Sequence, residues 1–167
     1  MARILVVYYS RSGNTAKVAR GITGICGADC EEIRDSAVRS GLVGWFLSGR
    51  EAWLGRAAPI EPPSCDPQEY DLVVVGSPLW AGRLSSPVRS YLQGQRGRIP
   101  QVAAFITRGG TNPRKAFEEI ERLAGKAPVA TLTLTERELG RGAHDRIGAF
   151  ADSIVALLGG EKVQPIR

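Results

Sequence analysis

Cysteine and histidine are scarce in this chain, which has three cysteines and one histidine in 167 residues. Cys26, Cys30 and Cys65 are odd in number and lack the C-x-x-C spacing that is typical of zinc and redox motifs. With His144 as the lone histidine, we expect neither a metal site nor a disulfide framework. We interpret the thiols as inert side chains of a cytoplasmic protein, because disulfides are rare in that reducing compartment.

Long apolar runs and concentrated basic blocks are also missing. No apolar run approaches the roughly 20 residues that a helix needs to cross a bilayer, so no integral membrane segment is expected. The chain begins with a strand-like segment and not with a basic region and a cleavage site. The formal net charge of +5 comes from 22 basic and 17 acidic residues that are spread along the chain. Because no basic block alternates with aromatic residues, we expect no binding to nucleic acid.

The most informative feature that is present is an apolar, β-rich run from Ile4 that ends in a polar turn. The run is apolar at consecutive positions, which is typical of a central parallel strand that is covered on both faces. A helix-compatible stretch follows at residues 16–25, so its free N–H groups and positive dipole end would form an anion site. The turn supplies hydroxyl, amide and glycine residues that suit a phosphate, and it consists of Ser10, Arg11, Ser12, Gly13, Asn14 and Thr15.

The machinery for cleaving a phosphate is absent from this turn. The chain has no G-x-x-x-x-G-K-[ST] sequence, so neither a lysine nor a magnesium-binding hydroxyl is placed for phosphoryl transfer. It has no G-x-G-x-x-G fingerprint for a dinucleotide, and no cysteine opens the loop as a nucleophile. The pattern therefore favours a phosphate-bearing cofactor that stays bound, and we assign no catalytic residue.

Strand-like and helix-like segments alternate along the rest of the chain. Strand-like segments recur at residues 30–34, 71–76, 101–107 and 129–134. A helix is expected at residues 85–93, and apolar stripes at helical spacing predict two more. The stripes consist of Phe117, Ile120, Leu123 and Ala124, and of Ile147, Phe150, Ala151, Ile154, Leu157 and Leu158. This alternation predicts one α/β domain over residues 1–167, a three-layer doubly wound sandwich around a five-stranded parallel sheet.

Two further loops follow the third and fourth strands and would lie at the same edge of the sheet as the first turn. Ligands of such folds sit outside the carboxyl ends of the strands. The glycines would bring backbone N–H groups close to a flat ring, and a tryptophan would offer a stacking face. The candidate binding residues here are Ser77, Pro78, Leu79, Trp80, Ala81 and Gly82, and Thr107, Arg108, Gly109 and Gly110.

The three loops together resemble those of the flavodoxin family. Residues 10–15 match the family pattern [ST]-x-[ST]-G-N-T, while residues 76–81 and 107–110 match G-[ST]-P-x-W-A and T-x-G-G. The resemblance covers the chain from Arg3 to about Leu158. It implies a parallel sheet of order 2-1-3-4-5 and FMN as the cofactor. The first loop would hold the phosphate of FMN, and the other two would hold its isoalloxazine ring.

Three functions stay open at this stage. An electron carrier would shuttle electrons between redox partner proteins, whereas an FMN-dependent enzyme would oxidise NAD(P)H and reduce a small quinone, azo or nitro compound. The third is an anion-binding interaction domain without FMN. Electron carriers of the family are generally acidic around the flavin, but these three loops contain no carboxylate. The third loop also lacks the aromatic residue that usually covers the second flavin face, which leaves room for a flat substrate.

Several side chains have two interpretations. Trp80 either contacts the flavin or is a hydrophobic plug between loop and helix. Arg11, Arg83 and Arg108 either face the cofactor or are solvated side chains. The segment at residues 41–55 contains Trp45 and Trp53 and is either a helix packed on the sheet or a flap or homodimer contact.

Overall fold

The computed structural model describes residues 2–36 and 58–159, and the aromatic segment at residues 41–55 lies outside them. The strands are β1 (Ile4–Tyr8), β2 (Asp29–Glu32), β3 (Leu72–Trp80), β4 (Arg83–Leu84), β5 (Val102–Arg108) and β6 (Thr131–Thr135). The helices are α1 (Asn14–Cys26), α2 (Ser86–Gly94), α3 (Arg114–Ala124), α4 (Glu136–Gly140) and α5 (His144–Leu157). No helix in these two ranges is long and apolar enough to cross a membrane.

The sheet has the order that the resemblance implied. The strand β1 pairs in parallel with β2 and β3, while β5 pairs in parallel with β3 and β6. The order is β2-β1-β3-β5-β6, which is 2-1-3-4-5 when only the parallel strands are numbered. The predicted doubly wound α/β fold is therefore confirmed. The sixth strand, β4, was not predicted, and it pairs antiparallel with the end of β3.

Two hydrophobic layers lie on opposite faces of the sheet. All five residues of β1 are buried, because its side chains alternate between the two layers. One layer joins Ile4, Val6 and Tyr8 to α1 and α5, and the other joins Leu5 and Val7 to α2 and α3. The continuous apolar run of β1 follows from this double coverage, and it fixes where the first turn emerges.

One prediction about the third strand was wrong in its end point. We expected a strand at residues 71–76 and a loop from Ser77, but β3 continues to Trp80. The continuation is stabilised on both sides, because Pro78 lies in register with Thr107 of β5 and Leu79 pairs with Leu84 of β4. Only Ala81 and Gly82 connect β3 to β4, so a tight β-hairpin replaces the expected loop.

The short helix α4 is a second element that the sequence analysis missed. It begins with a capping box, in which the Thr135 hydroxyl accepts from the Glu138 N–H at 3.2 Å. In return, Oε2 of Glu138 accepts from the Thr135 N–H at 2.7 Å. The T-x-x-E signature of this motif was readable in the sequence. The motif lies directly at the end of β6, where the chain turns from strand to helix. The capping box gives the N–H groups of Thr135 and Glu138 the acceptors that they would otherwise lack.

Candidate functional site

The first loop, residues 10–15, leads from β1 into α1. Gly13 immediately precedes the helix in the left-handed region, with a φ of 87°, a conformation that favours glycine. The Ser10 Oγ accepts a hydrogen bond of 3.2 Å from the N–H of Ala16 in the first turn. The N–H groups of Asn14 and Thr15 have no intrahelical acceptor, since they open the helix. This loop therefore presents backbone donors at the positive end of α1.

The hydroxyls of the first loop point in different directions. Arg11 and Ser12 are exposed, and Ser10 is partly exposed. Thr15 is only 2% exposed, and its Oγ1 lies 2.8 Å from Oγ1 of Thr107 at the end of β5. The sequence analysis treated the hydroxyls of Ser10, Ser12 and Thr15 as equivalent phosphate donors. In the structure, the Thr15 hydroxyl contacts Thr107 of β5 instead.

The hairpin, residues 77–85, carries Trp80 at the end of β3. Its ring stands perpendicular to that of Tyr9, with centroids 5.6 Å apart and an interplanar angle of 89°. The turn residues Ala81 and Gly82 have φ values of 49° and 75°. Two consecutive positive φ values are typical of a type I′ turn, which suits the twist of a hairpin. Within residues 2–36 and 58–159, Ala81 is the one non-glycine residue with a positive φ, so the hairpin tip is locally strained.

Buried polar contacts anchor the base of this hairpin. Ser77 and Ser85 are both 0% exposed, and their Oγ atoms lie 2.9 Å apart. The Arg89 guanidinium is also buried, and it donates to the Leu84 carbonyl at 3.1 Å and to the Glu119 carboxylate at 2.7 Å. These contacts join the hairpin to α2 and α3. Ser77, a predicted binding residue, therefore has its hydroxyl directed into the protein.

The third loop, residues 107–113, leads from β5 to α3. Nη1 of Arg108 donates to the Thr111 carbonyl at 2.8 Å, while its buried Nε has no hydrogen-bond partner among the described residues. A Cβ added to Gly109 or Gly110 would meet no heavy atom within 4 Å, so both glycines border open space. The Asn112 Oδ1 accepts from the Arg114 N–H at 2.9 Å, a local Asx-type turn that satisfies the first N–H of α3.

Contacts between the three loops bring them together at one edge of the sheet. Tyr9, next to the first loop, meets Trp80 of the hairpin, and Thr15 meets Thr107 of the third loop. A Cβ on Gly82 would lie 3.9 Å from Cγ2 of Thr111, so the hairpin tip approaches the third loop. The sequence analysis missed Tyr9, although this aromatic residue directly precedes the first loop.

A carboxylate that lies outside the three loops also affects this edge. Burial raises the pKa of the Tyr9 hydroxyl, the nearby Asp35 carboxylate raises it further, and Arg11 opposes this effect. Asp35 follows β2 and forms an isolated bridge with Ile60. The loops themselves contain no acidic side chain, but Asp35 supplies negative charge beside them.

These features define a class of protein: a doubly wound α/β protein in which three loops converge at the point where the strand order reverses. Folds of this class bind their ligands at that point. No protein-family model and no curated protein sequence matches the chain. Solved structures do match it. A flavoprotein from Lactobacillus acidophilus NCFM in complex with FMN is similar over 86% of this chain and 99% of its own, with a TM-score of 0.69 and 24% identity.

Two further solved structures are also similar to this chain. A flavodoxin from Streptococcus pneumoniae has a TM-score of 0.59 and 13% identity, over 93% of this chain and 99% of its own. A WrbA-like flavodoxin from Agrobacterium tumefaciens has a TM-score of 0.57 and 14% identity, over 92% of this chain and 97% of its own. This chain has the flavodoxin-like fold.

Proposed function

We propose that this protein binds FMN at the carboxyl edge of its sheet and transfers electrons through the flavin. The observation that carries the proposal is the convergence of three loops, from β1, from the β3–β4 hairpin and from β5, around one open edge. The first presents helix N-terminal donors, and the third presents two glycines beside open space. The FMN complex of the similar Lactobacillus flavoprotein supports the same assignment.

The residues at this edge fit the two chemically different ends of FMN. The phosphate monoester suits the first loop, where the Ser12 hydroxyl and the amides of Asn14 and Thr15 would donate to it. Ser10 can accept from the Ala16 N–H and still donate its own hydrogen to the phosphate. The flat ring suits the space between the hairpin and the third loop, where Gly109 and Gly110 allow close approach of backbone.

Bound FMN would supply the redox chemistry itself. The side chains of this edge then have binding and orienting roles. Trp80 and Tyr9 form an aromatic wall, and the buried hydroxyls and Arg89 keep the hairpin in place. The Arg108–Thr111 hydrogen bond holds the third loop closed on itself. Positions held by packing in this way are suited to fixing a ring rather than to moving protons.

The test of this proposal is a measurement of flavin content. Protein mixed with FMN and then freed of unbound ligand is expected to keep the flavin absorbance bands. Protein mixed with riboflavin, which lacks the phosphate, is expected to lose them. Retention of neither ligand would overturn the proposal and would favour an anion-binding domain without FMN.

A second candidate is an FMN-dependent reductase that oxidises NAD(P)H and reduces a quinone-like compound. The observations that favour it are the exposed Arg11 and Arg83, together with a third loop that contains no aromatic side chain. Positive charge would attract the anionic nicotinamide cofactor, and an uncovered flavin face would admit a flat acceptor. Oxidation of NADH or NADPH by the FMN-loaded protein and a quinone, without added reductase, would favour the enzyme. No turnover would favour the electron carrier.

A further inference from the structure

A hydrogen bond between two buried hydroxyls links the first loop to the third loop. The Oγ1 atoms of Thr15 and Thr107 lie 2.8 Å apart, and 92 residues separate the two in the chain. Thr15 is 2% exposed and Thr107 is 4% exposed. Thr15 stands in the first turn of α1, while Thr107 is near the end of β5, at the start of the third loop. The bond therefore joins the two parts of the edge that the proposed function assigns to phosphate and ring.

The Thr15–Thr107 hydrogen bond fixes one residue in the first turn of α1, and a hydrogen bond to Ser10 fixes the next residue. The Ser10 Oγ accepts from Ala16, one residue beyond Thr15. Helix amides bind an anion more tightly when they are already aimed at it, because ordering the turn on binding costs entropy. Loss of either threonine hydroxyl would leave the other buried without its partner, which is unfavourable.

We propose that Thr107, which belongs to the third loop, is a positioning residue for phosphate binding: through Thr15 it fixes the first turn of α1. The inference rests on the proposed FMN function and adds to it a long-range dependence of phosphate recognition on the third loop. Its direct consequence is that a change at Thr107 alters the preference for FMN over riboflavin.

The test compares FMN and riboflavin affinities, by fluorescence titration, for the wild type and two variants. Thr107→Val keeps the shape of the side chain and removes its hydroxyl, and the ratio of FMN to riboflavin affinity is expected to fall. A hydrogen bond with a net contribution of about 0.5–1.5 kcal/mol corresponds to a fall of about twofold to about tenfold. Thr107→Ser keeps the hydroxyl and is expected to restore most of the ratio.

A double-mutant cycle separates this link from two independent effects. If Thr107 acts through Thr15, the pair of Thr15→Val and Thr107→Val is expected to lower the ratio no further than the worse single variant. The matched control is Ser85→Ala, which removes the other buried hydroxyl pair at this edge, the one with Ser77. Because Ser85 holds the hairpin that faces the ring, and FMN and riboflavin share that ring, the control is expected to lower stability and to change both affinities equally, so that the FMN-to-riboflavin ratio stays the same.

The results distinguish a failure of the Thr107 role from a failure of the proposed phosphate site. An unchanged ratio in Thr107→Val, an equal loss of both ligands, or a Thr107→Ser variant as poor as Thr107→Val would overturn the positioning role. A wild type that does not prefer FMN would overturn the first-loop assignment itself. If Thr107→Val does not fold, the comparison of Thr107→Ala with Thr107→Ser isolates the hydroxyl in the same way.

Discussion

The rings of Trp80 and Tyr9 meet edge to face, with centroids 5.6 Å apart, so the tip of β3 packs on the residue that precedes the first loop. Both side chains are partly exposed, which leaves part of this aromatic pair open to a ligand. The contact makes two roles of Trp80 separable by experiment: a wall of the ligand site, or a plug that stabilises the hairpin.

The first prediction concerns this pair. Replacing Trp80 with Leu is expected to lower FMN affinity by up to about tenfold, since aromatic contacts contribute about 0.5–1.5 kcal/mol beyond burial. The measurement is a titration with FMN beside a thermal denaturation of the ligand-free protein. The matched control Tyr9→Phe keeps the ring and is expected to bind as the wild type does. A loss of stability with FMN affinity unchanged would identify Trp80 as a plug.

The second prediction concerns the first loop. Replacing Ser12 with Asp is expected to abolish FMN binding, because two like charges at contact repel by several kcal/mol at an effective dielectric of about 20. Riboflavin affinity is expected to change little. The control Ser12→Asn adds similar bulk without charge and is expected to lose much less FMN affinity. An equal loss of both ligands in Ser12→Asp would contradict the assignment of the phosphate to this loop.

The third prediction uses the glycines of the third loop. Gly109→Ala and Gly110→Ala are expected to change the free energy of unfolding by less than about 0.5 kcal/mol, because the added methyl points into open space. FMN affinity is expected to fall in both, since the same space would be filled by the ring.

The control for the third prediction is Gly76→Ala. A Cβ at Gly76 would lie 2.1 Å from Cζ of Phe105, so this variant is expected to lose about 1–3 kcal/mol of stability. If the two loop variants lose stability as well and bind FMN normally, the open space is not the ring site.

The fourth prediction concerns the basic side chains at the ligand edge. Reduction adds negative charge to a flavin, and two unit charges about 8 Å apart interact by about 2 kcal/mol at an effective dielectric of about 20, less in salt. Arg83→Glu and Arg108→Glu are therefore expected to lower the reduction potential of bound FMN, more at low salt. Spectroelectrochemical titration measures this shift. Arg96→Glu, beyond the far end of α2, is the control, and an equal shift there would refute a local effect.

The fifth prediction concerns the capping box at α4. Hydrogen bonds from Thr135, and the Arg146 guanidinium, lower the pKa of Glu138 to about 2. A carboxylate whose pKa is lowered on folding stabilises the fold above its ordinary pKa and loses this effect as the pH falls. The melting temperature is therefore expected to fall between about pH 5 and about pH 2, and less steeply in Glu138→Gln. Glu136→Gln, in the same helix, is the control. An unchanged pH profile in Glu138→Gln would contradict this role.

Most of the fold was predictable because the hydrophobic pattern of a single strand or helix is enough to indicate its structure. The continuous apolar run of β1 indicates a strand that is covered on both faces, and the apolar residues of α3 and α5 recur at helical spacing. The strand β4 was not predictable in this way, since two residues show no periodicity. Its turn, Ala81-Gly82, also lacks the Asn-Gly or Asp-Gly pair that usually marks a type I′ hairpin.

The candidate site was predictable in its location and only partly in its side chains. The parallel order of the strands is enough to bring the three loops to one edge. The direction of Thr15 depends on how α1 docks over the sheet, and that of Ser77 depends on the hairpin that β4 forms. Such contacts join segments far apart in the sequence, so no local pattern reports them.

The three loops come from the beginning, the middle and the latter part of the chain, so a ligand site at this edge would exist only when β1, β3 and β5 have assembled. Any ligand of this edge therefore binds the native state and not a partly folded one. By mass action, such a ligand at 100 times its dissociation constant stabilises the native state by about 2.7 kcal/mol. Ligand supply would thus govern the lifetime and abundance of this protein as well as its chemistry.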